Sequence, residues 1–563
     1  MAKQKEGAKK VEYSTAVIGG GLAGCLATIE LANKERLVNG RKKICLIEAN
    51  EGLLQGTSNV TPGRMGLGFH YIHKDTAIVY LHSTIEFVKK YKAPVKLFAK
   101  EYRNSVEPLV IGGDKEESNP LRRGRYFITE DSLFPKEDIL LTYEALQAEY
   151  RRLCEEDSSN QVFGDPDVFF QILEPSEYEG DVGENIICGI ETSEHLLNWP
   201  LFKDFVIEEI TKNRNIDVFT GIEVKKVGFD AETNEHVLFC YDRKNHQLKY
   251  KIHSPFVINC TWEHVEEITD AAGFLPVHRT EDSESSEPAQ TTLENRERTN
   301  RLKILVEVKL PESLKNAHSM FFCMGAHCMF SNIGNGYGML TYAPVTNSLQ
   351  STAVSIPKKM AYYLSLNNGD DSDESVRTEV TEYGNKIIRG VSQYIPKMIT
   401  AELLSVRFGI VITKGNVDIF DHNSDFHIRN YNGITSEEYP LGWINNTCMK
   451  LLYAYDNAVS IGKIVDEQKA QKQLISEKVE ELEERLPADK KRALASVLYR
   501  YFSSAELLKE ENKHQTMSFE KSKHLIQAAM KGRLLINSEI CPPNVVESGL
   551  VGKEEVFNQS IQI

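Results

Sequence analysis

Residues 14 to 31, STAVIGGGLAGCLATIEL, decide the fold. Ser14 to Ile18 is a short β-branched run that ends in glycines, and Leu22, Cys25, Leu26, Ile29 and Leu31 then recur at helical spacing. Asn39-Gly40 marks a turn, and Lys43 to Glu48 (KICLIE) reads as a second buried strand, which completes a βαβ unit. Gly19, Gly21 and Gly24 stand at the spacing GxGxxG, where the first glycine permits a tight turn, the second lets backbone approach a pyrophosphate, and the third lets helix lie close on strand. The helix start at Leu22 and Ala23 then offers unpaired N–H groups and partial positive charge to phosphates. Glu48 ends the second strand, where a carboxylate accepts both ribose hydroxyls of an adenosine and disfavours a 2′-phosphate. The motif therefore predicts a site for the ADP half of a dinucleotide other than NADP.

NAD and FAD share that half, so the glycines alone leave both open. After Glu48 comes a run of seven residues and then Gly56-Thr57-Ser58-Asn59, followed by Gly63, Gly66 and Gly68. This pattern resembles the D-amino-acid-oxidase-like family of FAD-dependent oxidoreductases, in which a Gly-[Ala/Thr]-Ser loop runs along the pyrophosphate and flavin. Gly221-Ile-Glu-Val224 is similar to the family strand whose backbone meets adenine, and Phe256-Val-Ile-Asn-Cys-Thr261 is similar to its closing strand. The resemblance thus implies FAD held by Gly19, Gly21, Leu22, Ala23, Gly24, Glu48, Gly56, Thr57, Ser58, Val224 and Thr261. One departure stands out: Trp262 occupies a position where the family has glycine. Another bears on attachment, because relatives that hold FAD covalently use a histidine near the position of Gly66, so a dissociable FAD is expected.

The same resemblance places Gly63 to Tyr71 (GRMGLGFHY) beside the flavin ring and nominates Arg64, His70 and Tyr71 for contacts to substrate or cofactor. Arg64 suits bidentate pairing with a carboxylate or phosphate. Arg407-Phe408-Gly409 resembles the start of the last FAD-contacting region, and Gly442 to Lys450 resembles the loop reaching the pyrimidine end, with Lys450 as a cation for charge that develops on reduction. The activity this implies is oxidation of a C–N or C–OH bond of a small molecule by hydride transfer to flavin N5. Two other readings stay open: a flavin-binding interaction protein without catalysis, which Trp262 motivates, and an NAD-linked dehydrogenase.

Beyond the glycine turn, the pattern predicts a helix over Leu201 to Ile210, a strand over Asp217 to Val227, hairpin partners at His236 to Tyr241 and Leu248 to Ile252, and a strand buried on both faces at Phe256 to Cys260. Residues Leu302 to Val308, Ser319 to Met324 and Tyr337 to Tyr342 read as an antiparallel sheet with a turn at 334–336. Past Asp466 helical stripes take over, with Ile475, Val479, Leu482 and Leu486 on one and Leu494, Val497, Leu498 and Tyr501 on another. The expected architecture is α/β: a Rossmann-type FAD-binding domain from 11–90, 197–270 and 405–465, a substrate domain with a mixed or antiparallel sheet from 91–196 and 271–404, and a helical C-terminal appendage over 466–563.

At 563 residues the chain exceeds one hydrophobic core, and 41% apolar with 26% charged residues is an ordinary globular balance. No run approaches the roughly 18 apolar residues of a membrane span, and the polar start does not read as a secretory signal. A net charge of −15 argues against a nucleic-acid surface. Acidic stretches at 281–288 (EDSESSEP) and 370–375 (DDSDES) read as surface loops that, with the C-terminal helices, offer a route to a protein partner. Ten scattered cysteines fit a reducing cytoplasm. Cys323 and Cys328 lack a second ligand pair, and His422, His427 and Arg429 lack ligand spacing, so no metal is expected.

Overall fold

A computed structural model describes residues 8–35, 43–91, 124–230, 233–274 and 298–481, apart from 326, 348, 369–373, 416, 426, 428–431 and 449. The strand Thr15–Ile18, the helix Leu22–Glu35 and the strand Ile44–Ile47 form the βαβ unit read from the glycine turn. These strands sit inside a six-stranded sheet in the order Ile434–Thr435, Trp443–Asn446, Val257–Asn259, Thr15–Ile18, Ile44–Ile47, Ile216–Phe219. Every pairing in it is parallel except that of the Ile434–Thr435 edge.

Alternation along the central strands sets the layers. Val17, Ile44, Leu46 and Ile258 turn to the helical side, while Ala16, Ile18, Cys45, Ile47 and Val257 turn to the other. The helical side is covered by Leu22–Glu35 and the long helix Tyr453–Glu481, joined at their edge by Lys34 and Asp466, 3.1 Å apart. The far side packs on a four-stranded sheet built from Lys9–Glu12, Leu248–Ser254, Glu235–Asp242 and Ile222–Asp230, which supplies Ile222, Val224, Val227, Leu238, Cys240 and Ile252. The expected hairpin partners pair antiparallel here.

The single strand expected over Asp217 to Val227 is two. Ile216–Phe219 ends the parallel sheet, Gly221 turns the chain at φ +65°, and Ile222 opens the antiparallel one. The apolar alternation runs through both strands, and only the glycine, able to adopt a left-handed backbone, marks the break.

Among the described residues the larger sheet has nine strands. Its order is Gln350–Ser351, Arg298–Lys309, Tyr337–Tyr342, Cys328–Gly334, Ser319–Cys323, Gly124–Thr129, Ile186–Thr192, Phe170–Leu173, with Glu402–Lys414 also paired to Arg298–Lys309. It is mixed, since Ser319–Cys323 runs parallel to Gly124–Thr129 and the other pairs are antiparallel. Glu402–Lys414 belongs to this sheet along its length, so a boundary at 405 falls inside a strand.

The C-terminal helix begins at Tyr453, earlier than the 466 boundary, and its stretch past that point packs on the parallel unit: Gln468 accepts from the Gly442 N–H at 2.9 Å and Lys472 donates to the Pro255 carbonyl at 2.8 Å. The later stripe of Leu494 to Tyr501 lies outside the described residues, as do 281–288. Of the second acidic stretch, Glu374 and Ser375 open the helix Glu374–Ser392 rather than a loop, a position where a carboxylate favours the helix N-terminus.

Candidate functional site

The glycine turn folds as its spacing requires. Gly19 has φ +100°, and a Cβ there would lie 2.5 Å from the Cys260 carbonyl oxygen. At Gly24 a Cβ would lie 1.9 Å from the Gly19 oxygen, so no side chain fits between helix and strand. Gly21 differs: a Cβ would meet only the Ser58 Oγ, at 3.3 Å, and at Gly56 it would meet nothing within 4 Å. These two glycines leave open surface beside the helix start.

Three remote pieces of sequence close on that surface. The buried Glu48 accepts from the Gly20 N–H and the Asn50 N–H, both at 2.6 Å, which leaves a lone pair on each carboxylate oxygen for a further donor. Leu22 N, in the first turn of the helix, donates to Ser58 Oγ at 3.0 Å, and Ala23 packs against the core. Thr57 Oγ1 accepts from Ile410 N at 3.4 Å, tying the Thr57–Asn59 turn to the larger sheet. Thr261 lies beside Gly19, with its N 3.1 Å from where a Cβ would stand, and its hydroxyl donates to Asn259 Oδ1 at 2.6 Å. Val224 is placed differently. Its side chain is core, and its strand touches the site two residues earlier, where Ile222 N donates to the Glu48 carbonyl.

Trp262, where the resemblance expects glycine, takes a backbone conformation that suits glycine. Its φ is +53°, a left-handed conformation that a bulky residue adopts rarely, and its indole Nε1 donates to the Ile410 carbonyl at 2.8 Å. Arg298 donates to the Trp262 and Glu263 carbonyls, both at 3.2 Å.

Of the nominated catalytic residues, Arg64 already has a carboxylate from its own chain. Its Nε donates to Glu194 Oε1 at 2.6 Å, its Nη2 to the Tyr126 hydroxyl and its Nη1 to Met329 Sδ at 2.8 Å, and the guanidinium stands 3.7 Å from the Phe321 ring centroid. Burial lowers the guanidinium's affinity for its proton, but Glu194 and Tyr126 outweigh this and hold it above the ordinary arginine range. Glu194 also accepts from Tyr126 at 2.8 Å and from Leu67 N at 3.2 Å, so one carboxylate fastens the Gly63–Tyr71 loop. Nothing in the motif around Glu194 announces this, because its partners lie far away in sequence.

His70, Tyr71 and Lys450 come together apart from the Arg64 cluster. The His70 and Tyr71 rings are 5.6 Å apart, Tyr71 lies 4.4 Å from Tyr80, and Lys450 Nζ is 5.7 Å from the Tyr71 ring and 6.0 Å from that of Tyr80. Two further cations meet at the turn, Lys203, which the sequence reading missed, and Arg407, which it set at the start of the last FAD-contacting region: Lys203 Nζ donates to Asn59 Oδ1 at 2.7 Å and Arg407 Nη1 to the Asn59 carbonyl at 3.3 Å. Among the described residues no cluster of metal-ligating side chains occurs, and no helix is long and apolar enough to cross a membrane.

No protein-family model matches the chain, and no curated protein does. Solved structures do. The dithionite-reduced L-α-glycerophosphate oxidase of Mycoplasma pneumoniae with FAD bound matches at a TM-score of 0.50 and 14% identity, over 81% of this chain and 95% of that one. Glycine oxidase of Geobacillus kaustophilus matches at 0.48 and 12%, over 81% and 95%, and L-proline dehydrogenase of P. horikoshii at 0.46 and 15%, over 82% and 94%. At such identity the likeness concerns fold alone: the chain adopts the fold of the M. pneumoniae oxidase.

Proposed function

We propose that this protein is an FAD-dependent oxidoreductase acting on a C–N or C–OH bond of a small molecule. The observation that carries the reading is the convergence of the glycine turn, Glu48 and Ser58, with open surface at Gly21 and Gly56 where a side chain would intrude. In this reading the helix start at Leu22 and Ala23, with Gly21, faces the diphosphate, Gly19 and Gly24 make the tight turn and the close helix packing that present it, Glu48 accepts from the adenosine ribose, and Gly56, Thr57, Ser58 and Thr261 border the chain between the two halves. Val224 contributes through the backbone of its strand, since its side chain is committed to the core. The bound flavin would supply a two-electron acceptor.

The chain's own residues do the rest. Lys450, beside Tyr71, provides fixed positive charge where reduction adds negative charge. His70 and Tyr71 orient the substrate. Arg64 holds the loop through Glu194 rather than contacting a ligand. Gly66 offers no nucleophile for covalent attachment, so the cofactor is dissociable, and a flavin-free mass after denaturation is the expected result. The substrate is a small molecule and not a nucleic acid. Among the described residues the free cysteines, all but Cys154 buried, accord with a reducing cytoplasm.

The test is an absorbance spectrum of the protein as purified and after incubation with FAD, followed by anaerobic mixing with a panel of amines and hydroxy acids. Flavin absorbance that bleaches with one of them is expected. A protein that stays colourless in the presence of FAD would refute the reading.

A further inference from the structure

Glu48 is held in place partly by a residue from far along the chain. Its Oε1 accepts from the Asn50 N–H at 2.6 Å and its carbonyl from Ile222 N at 3.0 Å. Asn50 in turn belongs to a closed ring of hydrogen bonds. Gly221 N donates to the Asn50 carbonyl at 2.8 Å, Arg243 N donates to the Gly221 carbonyl at 2.9 Å, and Arg243 Nη1 returns to Asn50 Oδ1 at 2.5 Å. The ring fastens the turn between the strands Glu235–Asp242 and Leu248–Ser254 to the segments that follow Ile44–Ile47 and Ile216–Phe219 in the parallel sheet.

That turn closes without the Arg243 side chain. Asp242 Oδ1 accepts from Lys244 N at 2.9 Å and from Asn245 N at 3.1 Å, Asn245 Oδ1 accepts from Gln247 N at 3.0 Å, and Asp242 N donates to the Gln247 carbonyl at 2.9 Å. The arginine is exposed, and tying so long a side chain to Asn50 costs rotamer freedom that the turn does not require. Its partner is a neutral amide, and the carboxylates around it are engaged elsewhere. Glu51 lies 3.0 Å from Lys244 Nζ, Asp242 2.5 Å from Lys249 Nζ and Glu223 3.1 Å from Lys225 Nζ, while Glu48 takes two backbone N–H groups. Arg243 therefore presents a guanidinium pinned at one N–H, with Asn50 alone between it and the carboxylate read as the ribose acceptor.

A guanidinium is planar, and its face attracts the π-system of an aromatic ring. We propose that Arg243 is the seat of the adenine ring of the cofactor: the base stacks on the guanidinium, and Asn50 is the positioning residue that holds it beside Glu48. The proposal rests on the reading of Glu48 as the ribose acceptor and adds a binding residue from the second sheet.

ADP and UDP are titrated by calorimetry into the full-length protein freed of flavin, for the parent, Arg243→Met, Arg243→Lys and Asn50→Ala, with thermal melts to confirm that each is folded. The two nucleotides share ribose and diphosphate, so the ratio of their affinities isolates the base. Both Arg243 variants are expected to weaken ADP by roughly threefold to tenfold and UDP by less, because lysine keeps the charge and loses the plane. FAD affinity should fall with that for ADP, and Asn50→Ala should lower the ADP-to-UDP ratio in the same direction. Equal weakening of ADP and UDP by Arg243→Met, restored by Arg243→Lys, would show a charge acting on the diphosphate and overturn the stacking. Affinities unmoved in both Arg243 variants would overturn any contact with the nucleotide. A parent that binds neither nucleotide overturns the reading of the whole site, whereas a lost ADP preference in a protein whose flavin no substrate bleaches upholds Arg243 and refutes only the reaction.

Discussion

Replacing Glu194 by glutamine removes one charge and changes almost no volume, which makes it a sharp probe of how the Gly63–Tyr71 loop is held. Glu194 is 2% exposed in its side chain and Arg64 14%, so the pair sits out of water. Taking one partner from a buried ion pair costs about 3–5 kcal/mol, because the remaining charge is left uncompensated. The amide would keep an oxygen for Arg64 Nε, but its NH2 would confront the Leu67 N–H, and a buried donor without an acceptor is worth about 1–3 kcal/mol within that total. Glu194→Gln is thus expected to lose about 3–5 kcal/mol in urea unfolding. The double variant Arg64→Met/Glu194→Met should lose less than Glu194→Gln, since it removes both charges together. The assay is equilibrium urea denaturation of the three proteins followed by circular dichroism, with the m-value checked for constancy. A loss below about 1 kcal/mol for Glu194→Gln, the level of an exposed pair, would show that water reaches the pair and that the loop is held otherwise.

Three further outcomes follow from the geometry. Gly21→Ala should fold with a melting temperature near the parent and retain less flavin per chain, because the new methyl meets only Ser58 Oγ, whereas Gly24→Ala should fail in the melt itself, its methyl being driven to 1.9 Å from the Gly19 oxygen. Lys472 is held down to about 8 by burial against an ordinary 10.5, so between these values the unfolded chain binds a proton that the folded one does not. Parent stability should therefore rise relative to Lys472→Met as pH climbs from about 8 to 10.5 and stay level below 8, where both states hold the proton; parallel melts across the range check it, and a flat difference would exclude a buried ammonium. Trp262→Gly relieves a left-handed backbone, worth about 1–2 kcal/mol, but gives up aromatic burial and the hydrogen bond to Ile410; a net loss of about 1–2 kcal/mol in urea is expected.

What could be read from the sequence was whatever the chain settles locally. The strand, glycines and helix of Thr15 to Glu35 lie in one short segment, and each glycine has a steric task visible in its spacing. Glu48 was legible because strand length places it. The break at Gly221 was not, since the same alternation serves a strand in a parallel sheet and one in an antiparallel sheet. The Arg64–Glu194 pair joins residues 130 apart, and neither periodicity nor motif carries such a distance.

The Trp262 indole has a mechanical consequence. It springs from the end of the parallel sheet and grips the backbone of the strand Glu402–Lys414 in the other, while Thr57 holds the same residue, Ile410, through its amide. One residue of the larger sheet is thus clamped at both its carbonyl and its N–H by groups from the parallel unit. A movement of one sheet against the other would therefore have to break both of these hydrogen bonds at Ile410.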